Sequence, residues 1–318
     1  MDETKRIVNV LFLGGAKRVS LARKLKAAGE DLNLDVRVFS YELTAELPIA
    51  AEGTVVVGKR WSDPELMDDL ERVVRELDIH VMLPFVDAAV GVCGQYTAVH
   101  PEVWAPVVAP EIAEMLFDKA LAAAAFEVAK IPVPATYRYG RPNFPLIAKP
   151  RHGSASHGIE IVNEIADFRR ILKNKDKYMM QQYVENRIEF TVDCYVSLEG
   201  RILCVSPRQR IEVLGGEVTR TRTVDEPEIV ALSRKVIETL GLRGAVTLQF
   251  LRDLDNGSLM LMEINPRLGG GVVCSIHAGG NIARLILADY AGMPLEEVTD
   301  VKPGVLICRY FDETVFNG

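Results

Sequence analysis

Residues 245–271 read AVTLQFLRDLDNGSLMLMEINPRLGGG. Two runs of apolar and β-branched residues flank Asp255-Asn256-Gly257, the mark of a β-hairpin that opens into a glycine-rich loop. Its register decides its use. A two-residue turn at Asn256-Gly257 sets Gln249 opposite Ile264 and turns Glu263 to the other face. A three-residue loop over Asp255-Asn256-Gly257, with Gly257 left-handed, sets Gln249 opposite Glu263. The apolar pattern selects the second register. Val246, Leu248 and Phe250 then share a core face with Met260, Met262 and Ile264, while Thr247, Gln249, Glu263 and Asn265 share the other. One carboxylate, two amide oxygens and the following Arg267 make a hard-cation site beside an anion site. Mg²⁺ or Mn²⁺ takes such oxygens and completes its shell with phosphate and water. From this stretch alone, an ordinary polar strand face would look the same.

Working outward, 318 residues with 48% hydrophobic and 25% charged composition suggest two domains or so of an ordinary globular protein. A net charge of −7 gives no electrostatic reason for a nucleic-acid or membrane partner, so a small anionic ligand needs local basic sites. The charged MDETKR start leads into a strand-like run, and neither a signal peptide nor a spanning helix is expected. Cys93, Cys194, Cys204, Cys274 and Cys308 are scattered, without the spacing of a zinc site or a disulfide framework, which suggests a reducing cytoplasm.

Val8 to Leu13, Val36 to Ser40, Thr54 to Val57 and Val81 to Pro84 read as strands, with helices over Val19 to Ala28 and Pro64 to Leu77. This alternation predicts a parallel sheet. The segment Gly14-Gly15-Ala16-Lys17-Arg18-Val19 lacks the G-x-G-x-x-G spacing that brings backbone up to a pyrophosphate, which argues against a dinucleotide site.

From Pro110 the composition changes. Glu111 to Phe117 is a short helix, and Asp118 caps a second, alanine-rich one whose first turn carries Lys119. A lysine there opposes the helix dipole and suits an anionic neighbour, or is simply solvated. In FPLIAKPRHGSASHGIEIV (144–162) two strands flank a loop of Gly, Ser, Ala and His whose amides can cradle phosphates, with Lys149 at the strand end. No G-K-[ST] follows, so this is not a Walker A loop. Met179 to Val184 and Phe190 to Val196 read as further strands. Glu189 is placed to accept from sugar hydroxyls, and Arg208 and Arg210 end a strand as guanidinium groups for phosphate or carboxylate. Arg220 and Arg222 add positive charge, and Glu228 to Leu240 is an amphipathic helix.

Lys119, KPRHGSASHG, QQYVENRIEFTVD, VTLQF and MEINPR, in this order, resemble the ATP-grasp superfamily, with closest likeness to the ATP-binding halves of the carbamoyl-phosphate synthase large chain and to related small carboxylate–amine ligases. The likeness runs from about Pro110 to Val298. It implies a Rossmann-like parallel-sheet domain over residues 1–110, an ATP-grasp lid subdomain over 111–184 and a catalytic subdomain with the metal site over 185–318. It implies that Lys119 and Lys149 contact ATP phosphates beneath a mobile loop, His152 to Gly158, that includes Gly153, Ser154 and Ser156. The backbone at Gln182, Tyr183 and Val184 would hold adenine, and Glu189 the ribose. Gln249, Glu263 and Asn265 match the magnesium ligands, Arg267 matches the arginine beside the transferred phosphate, and Arg210 and Lys149 join it as catalytic candidates.

The implied chemistry is activation of a carboxylate as an acyl phosphate and its capture by an amine. The partners are then small-molecule carboxylate and amine substrates, and a homodimer is one assembly open to the chain. Gln182 departs from the family's usual glutamate, a change that a contact made by backbone tolerates. The chain shows one half where the synthase has two, which weighs against carbamoyl phosphate synthesis itself. A phosphorylating subunit of that kind and a regulatory ATP module without turnover are the alternatives. His152 and His157 suit general bases less well than polar loop positions. Gly269-Gly270-Gly271 and Ala278-Gly279-Gly280-Asn281 read either as lining for an acceptor or as turn and helix-start chemistry.

Overall fold

The structure, a computed structural model, describes residues 5–137, 142–153 and 157–316. Ser154 and Ser156 lie outside the described residues.

Its first part alternates strand and helix: β1 (Arg6–Leu13), α1 (Val19–Asp31), β2 (Leu34–Glu42), β3 (Thr54–Val57), α2 (Leu66–Leu77), β4 (Val81–Pro84) and α3 (Asp87–Val99). The strands form a parallel sheet in the order β3-β2-β1-β4. Both faces of β1 are apolar because both are covered: Val8, Val10 and Phe12 pack with Leu21, Ala22 and Leu25 of α1, while Leu11 and Leu13 pack with Leu70 of α2 and Ala89 of α3. The strand order reverses between β1 and β4, so the turn after β1 and the start of α3 flank one crevice.

Next come α4 (Pro110–Phe117), α5 (Lys119–Val128), β5 (Leu146–Pro150), β6 (Glu160–Val162), α6 (Ile165–Leu172) and β7 (Tyr178–Gln182). The strands make a small antiparallel sheet, β6-β5-β7, with a core of Leu146, Ala148, Val162 and Met180 under Phe168 and Ile171 of α6.

The last part is β8 (Arg187–Val196), β9 (Ile202–Leu214), β10 (Glu217–Thr223), α7 (Pro227–Leu240), β11 (Gly244–Asp253), β12 (Leu259–Asn265), α8 (Val272–Ser275), α9 (Ile282–Tyr290) and β13 (Leu306–Cys308). Its antiparallel sheet runs β12-β11-β8-β9-β10-β13. One face is core: Phe190, Val192, Val246, Leu248 and Phe250 pack with Leu116 of α4, Phe126 of α5 and Val236 of α7. The other face changes character along its length. At one end Tyr195, Leu203 and Ala245 join Leu268, Val272 and Ile286 in the same apolar core as Val8 and Phe12 of β1, which fuses the parallel sheet to the large sheet. At the other end that face is polar.

The hairpin keeps the expected pairing where it matters: Thr247 lies opposite Asn265 and Gln249 opposite Glu263. Below that point it departs from expectation. Phe250 pairs with Leu261 and Leu251 with Met260, so Met262 is an extra residue and β12 bulges there. The turn is correspondingly longer, with Asp253 N–H donating to the Ser258 carbonyl (2.9 Å), Asp255 N–H donating to the Asp253 carboxylate (2.9 Å), and Gly257 left-handed at φ 77°. The bulge exchanges faces: Leu259 and Leu261 enter the core, while Met260 and Met262 pack with Leu251 and Val184 on the other side. The expected core roles of Met260 and Met262 are therefore corrected. A run reading Leu-Met-Leu-Met is apolar in either phase, so burial alone could not fix its register.

Candidate functional site

The cleft between the small sheet and the polar end of the large sheet has a volume of about 190 Å³ and is lined by Lys119, Lys149, His152, Gly153, Gln182, Tyr183, Val184, Glu189, Arg210, Gln249 and Glu263. Eleven residues singled out in the sequence, drawn from α5, β5 and the loop after it, the end of β7 and the turn after it, and β8, β9, β11 and β12, thus share one cavity. Leu251 and Met262 line it too, as the bulge requires, and with Ile147 and Ile159 they give it an apolar wall suited to a flat ring.

Each lysine has a built support. Asp118 caps α5, accepting from the Ala120 (2.9 Å) and Leu121 (3.3 Å) amides, and also takes the Arg151 guanidinium, whose Nε donates at 3.0 Å. Burial pushes the Asp118 carboxyl up, and its bonds to Arg151 and the amides outweigh that and hold it below the usual range. The Lys119 amide donates to the Arg151 carbonyl (2.9 Å) and its Nζ to the Gly153 carbonyl (2.6 Å), so α5 is tied to the end of β5. Lys149 Nζ donates to Gln181 Oε1 (3.1 Å), and the buried Gln181 amide donates to the Pro134 carbonyl (3.4 Å). Lys149 is only partly buried because the cleft is open to water, yet the protein atoms crowding its ammonium lower its pKa, with Glu263 opposing the shift. Neither Asp118–Arg151 nor Gln181 was evident as support in the sequence; the capping position of Asp118 was the available signal.

Glu189 sits between two guanidinium groups, accepting from Arg187 Nε at 2.9 Å and lying 3.5 Å from Arg210 Nε. Burial lowers the Arg210 pKa and Glu189 opposes it. At the edge of the cleft the Gln182 and Tyr183 amides already donate to the Ala135 (2.8 Å) and Pro145 (3.4 Å) carbonyls. Of the three residues expected at the base, Val184 has no backbone partner for its amide among the described residues.

Arg267 and Asn265 stand beyond the cavity lining. Arg267 Nε donates to Asp87 Oδ1 (2.8 Å) at the start of α3, and its Nη2 to Asn265 Oδ1 (3.3 Å). Asp87 is thus a partner from the parallel-sheet part that no motif announced. Arg208 is not the free anion ligand expected. It lies inside β9, 2% exposed, and is committed to Asp193 through Nε (2.8 Å) and Nη2 (3.3 Å), with Ser275 Oγ also donating to Asp193 (2.7 Å). Arg220 and Arg222 point to the exposed face of β10.

Among the described residues no three His, Cys, Asp or Glu side chains gather as a metal cluster. One carboxylate opposite one amide, with Asn265 next along the strand face, fits a hard divalent ion only when phosphate oxygens complete its shell, which is the way Mg²⁺ is bound with nucleotides.

Residues 174–311 match a family profile described as ATP-grasp in the biosynthetic pathway with Ter operon. A stretch of 177 residues, 51% of this chain, is 22% identical to the carbamoyl phosphate synthase large chain, N-terminal section, of Methanopyrus kandleri; the match spans 31% of that relative. The biotin carboxylase of Campylobacter jejuni, solved with an ATP analogue, superposes with a TM-score of 0.74 at 16% identity, over 95% of this chain and 75% of that one. The L-amino acid ligase of Bacillus licheniformis superposes with a TM-score of 0.71 at 18% identity, over 94% and 78%. The chain has the ATP-grasp fold. The resemblance read from the five motifs is borne out, and the likeness to solved ATP-grasp structures extends through the parallel-sheet part as well as the two antiparallel sheets. No helix among the described residues is long and apolar enough to cross a membrane.

Proposed function

We propose that this protein is a magnesium-dependent ATP ligase that activates a small carboxylate as an acyl phosphate and joins it to a nitrogen nucleophile. The observation that carries this reading is Gln249 opposite Glu263 on the floor of a cleft that also holds Lys149 and Lys119.

In this reading adenine lies against Leu251 and Met262 near Val184, Glu189 accepts from ribose hydroxyls after exchanging part of its contact with Arg187, and the two lysines hold phosphate oxygens. Gln249, Glu263 and Asn265 would hold Mg²⁺, which when bound would supply charge neutralisation for the phosphates. A carboxylate oxygen attacks the γ-phosphorus, the bond from that phosphorus to the bridging oxygen breaks, and ADP leaves. The nitrogen then attacks the acyl carbon, the carbon–oxygen bond breaks, phosphate leaves, and the nitrogen gives a proton to solvent. Arg267 and Arg210 donate to the oxygens on which charge grows during transfer. No covalent nucleophile is needed from the chain. Residues 1–110 serve as the preceding domain, 111–184 as the lid and 185–318 as the catalytic part, although α4 and α5 pack on the large sheet. Five free cysteines, four of them buried, suit a reducing cytoplasm.

Incubation with Mg-ATP, a panel of carboxylates and hydroxylamine tests the reading. ADP release together with a hydroxamate is expected; release of AMP and pyrophosphate would mean adenylation instead.

A further inference from the structure

Beyond Arg267, the crevice flanked by the turn after β1 and the start of α3 carries a second polar cluster, which the backbone of Gly270 meets. Arg18, in the turn after β1, reaches into it with a side chain only 13% exposed and its guanidinium over the Phe85 ring at 5.6 Å. Arg18 Nη1 is buried and has no hydrogen-bond partner among the described residues; the Glu217 carboxylate makes an ion pair with it at 3.6 Å, beyond hydrogen-bond length. Glu217 is engaged by Arg309, whose Nη1 donates to it at 2.7 Å. A Cβ at Gly270 would stand 2.8 Å from Arg18 Nη1 and 3.4 Å from both Arg309 Nη1 and Glu217 Oε2, so these three side-chain ends meet at the loop's backbone. Burial lowers the Arg18 pKa, Glu217 opposes this, and the charges of Arg267 and Arg309 lower it further, so both of those guanidinium groups lie within electrostatic reach of Arg18.

The pair beneath shows what a purely structural arginine looks like in this protein. Arg208 is fully buried, and both its Nε and Nη2 bond to Asp193. Arg18 has no such match: a 3.6 Å ion pair with Glu217 and the Phe85 ring offset only part of the cost of burying a guanidinium nitrogen without an acceptor. The fork of a guanidinium group fits a carboxylate. Three arginines converge here on two carboxylates, Glu217 and Asp87, leaving positive charge for a ligand. The backbone that carries Arg18 and the glycine loop is anchored, because β1, Leu268 and Val272 belong to one core.

We propose that this crevice binds a substrate with two carboxylates, one presented at Arg267 for phosphorylation and the other held by Arg18 and Arg309. The inference rests on the acyl-phosphate ligase reading and names its substrate class. Glu217 shares Arg309 with the ligand and leaves the inner nitrogen of Arg18 to it.

Ligand-observed NMR with Mg²⁺ and a non-hydrolysable ATP analogue tests this, using succinate, glutarate and adipate against the monocarboxylates of equal length. At least one dicarboxylate should bind about tenfold or more tighter than its monocarboxylate counterpart, the scale of one charge-assisted contact. Arg18→Ala and Arg309→Gln should each erase that preference while the analogue keeps its affinity within about twofold. Equal binding of the two ligand classes by the wild type would overturn the proposal. So would a preference retained in whichever of the two variants melts cooperatively and binds the analogue. If the wild type fails to bind the analogue with Mg²⁺, the ligase reading itself falls, and the proposal with it.

Discussion

The nucleotide cleft and the arginine crevice lie on either side of Arg267, and they are assembled in opposite ways. The cleft is made of short contiguous motifs whose side chains alternate along strands: Gln249 and Glu263 on one hairpin, Lys149 and Gln181 on adjacent strands. The crevice is made of single residues, Arg18, Asp87, Glu217 and Arg309, brought together by the core that fuses the two large sheets. The difference teaches that a local motif can carry a site for a common cosubstrate, whereas the residues proposed to choose the particular substrate are scattered and need the whole fold.

Variants in the cleft should therefore damage nucleotide handling, and variants in the crevice should damage substrate choice alone. The largest effect is expected for Glu263→Ala, which removes the one carboxylate among the proposed metal ligands. Turnover should fall at least ~100-fold, since metal stabilisation of phosphoryl charge is worth several kcal/mol, and calorimetry should show that Mg²⁺ no longer strengthens ATP binding. Unchanged Mg²⁺-dependence would remove the metal assignment.

Arg267→Ala sharpens the boundary between the two regions. Turnover should fall ~100-fold with nucleotide affinity nearly intact, because its proposed role lies in the transition state. A matching loss of nucleotide affinity would move Arg267 into the cleft.

Lys149→Met should weaken ATP by roughly tenfold yet raise the melting temperature of the nucleotide-free protein by roughly 2 °C. The sign follows from its lowered pKa. Between the folded value and the ordinary 10.5 the unfolded chain binds more protons, so stability rises with pH through that window and the charged lysine is a burden below it. The same deprotonation should weaken ATP binding as pH climbs through the folded value. A lower melting temperature in the variant would show that the ammonium stabilises the empty cleft. The smallest effect belongs to His157→Ala, on the exposed side of the cleft, with turnover changed by less than about threefold; a loss of ~100-fold would make His157 a base.

Strand alternation was enough to place Gln249 opposite Glu263, because only one register keeps polar residues off the core face. It could not place Met260 and Met262, where both phases of the run are apolar and a bulge decides. The same strand reading made Arg208 look like a ligand, since nothing local reveals that Asp193 and Ser275 surround it. Arg18 sat in a segment judged by its failure to match a dinucleotide fingerprint, and its partners enter from β10 and the C-terminal strand region, far along the chain. The parallel sheet was legible in outline from its βα alternation, but its fusion to the large sheet through Leu268, Val272 and Ile286 has no periodic signal in the sequence.

The central claim, that the cleft transfers the γ-phosphoryl group to a carboxylate oxygen, is tested most directly by isotope tracing. With a carboxylate that supports nucleotide turnover, labelled with ¹⁸O, and hydroxylamine as the nitrogen nucleophile, ³¹P NMR follows the label. One labelled oxygen should pass to inorganic phosphate as ADP forms. Label appearing in AMP, with unlabelled pyrophosphate released, would contradict the account.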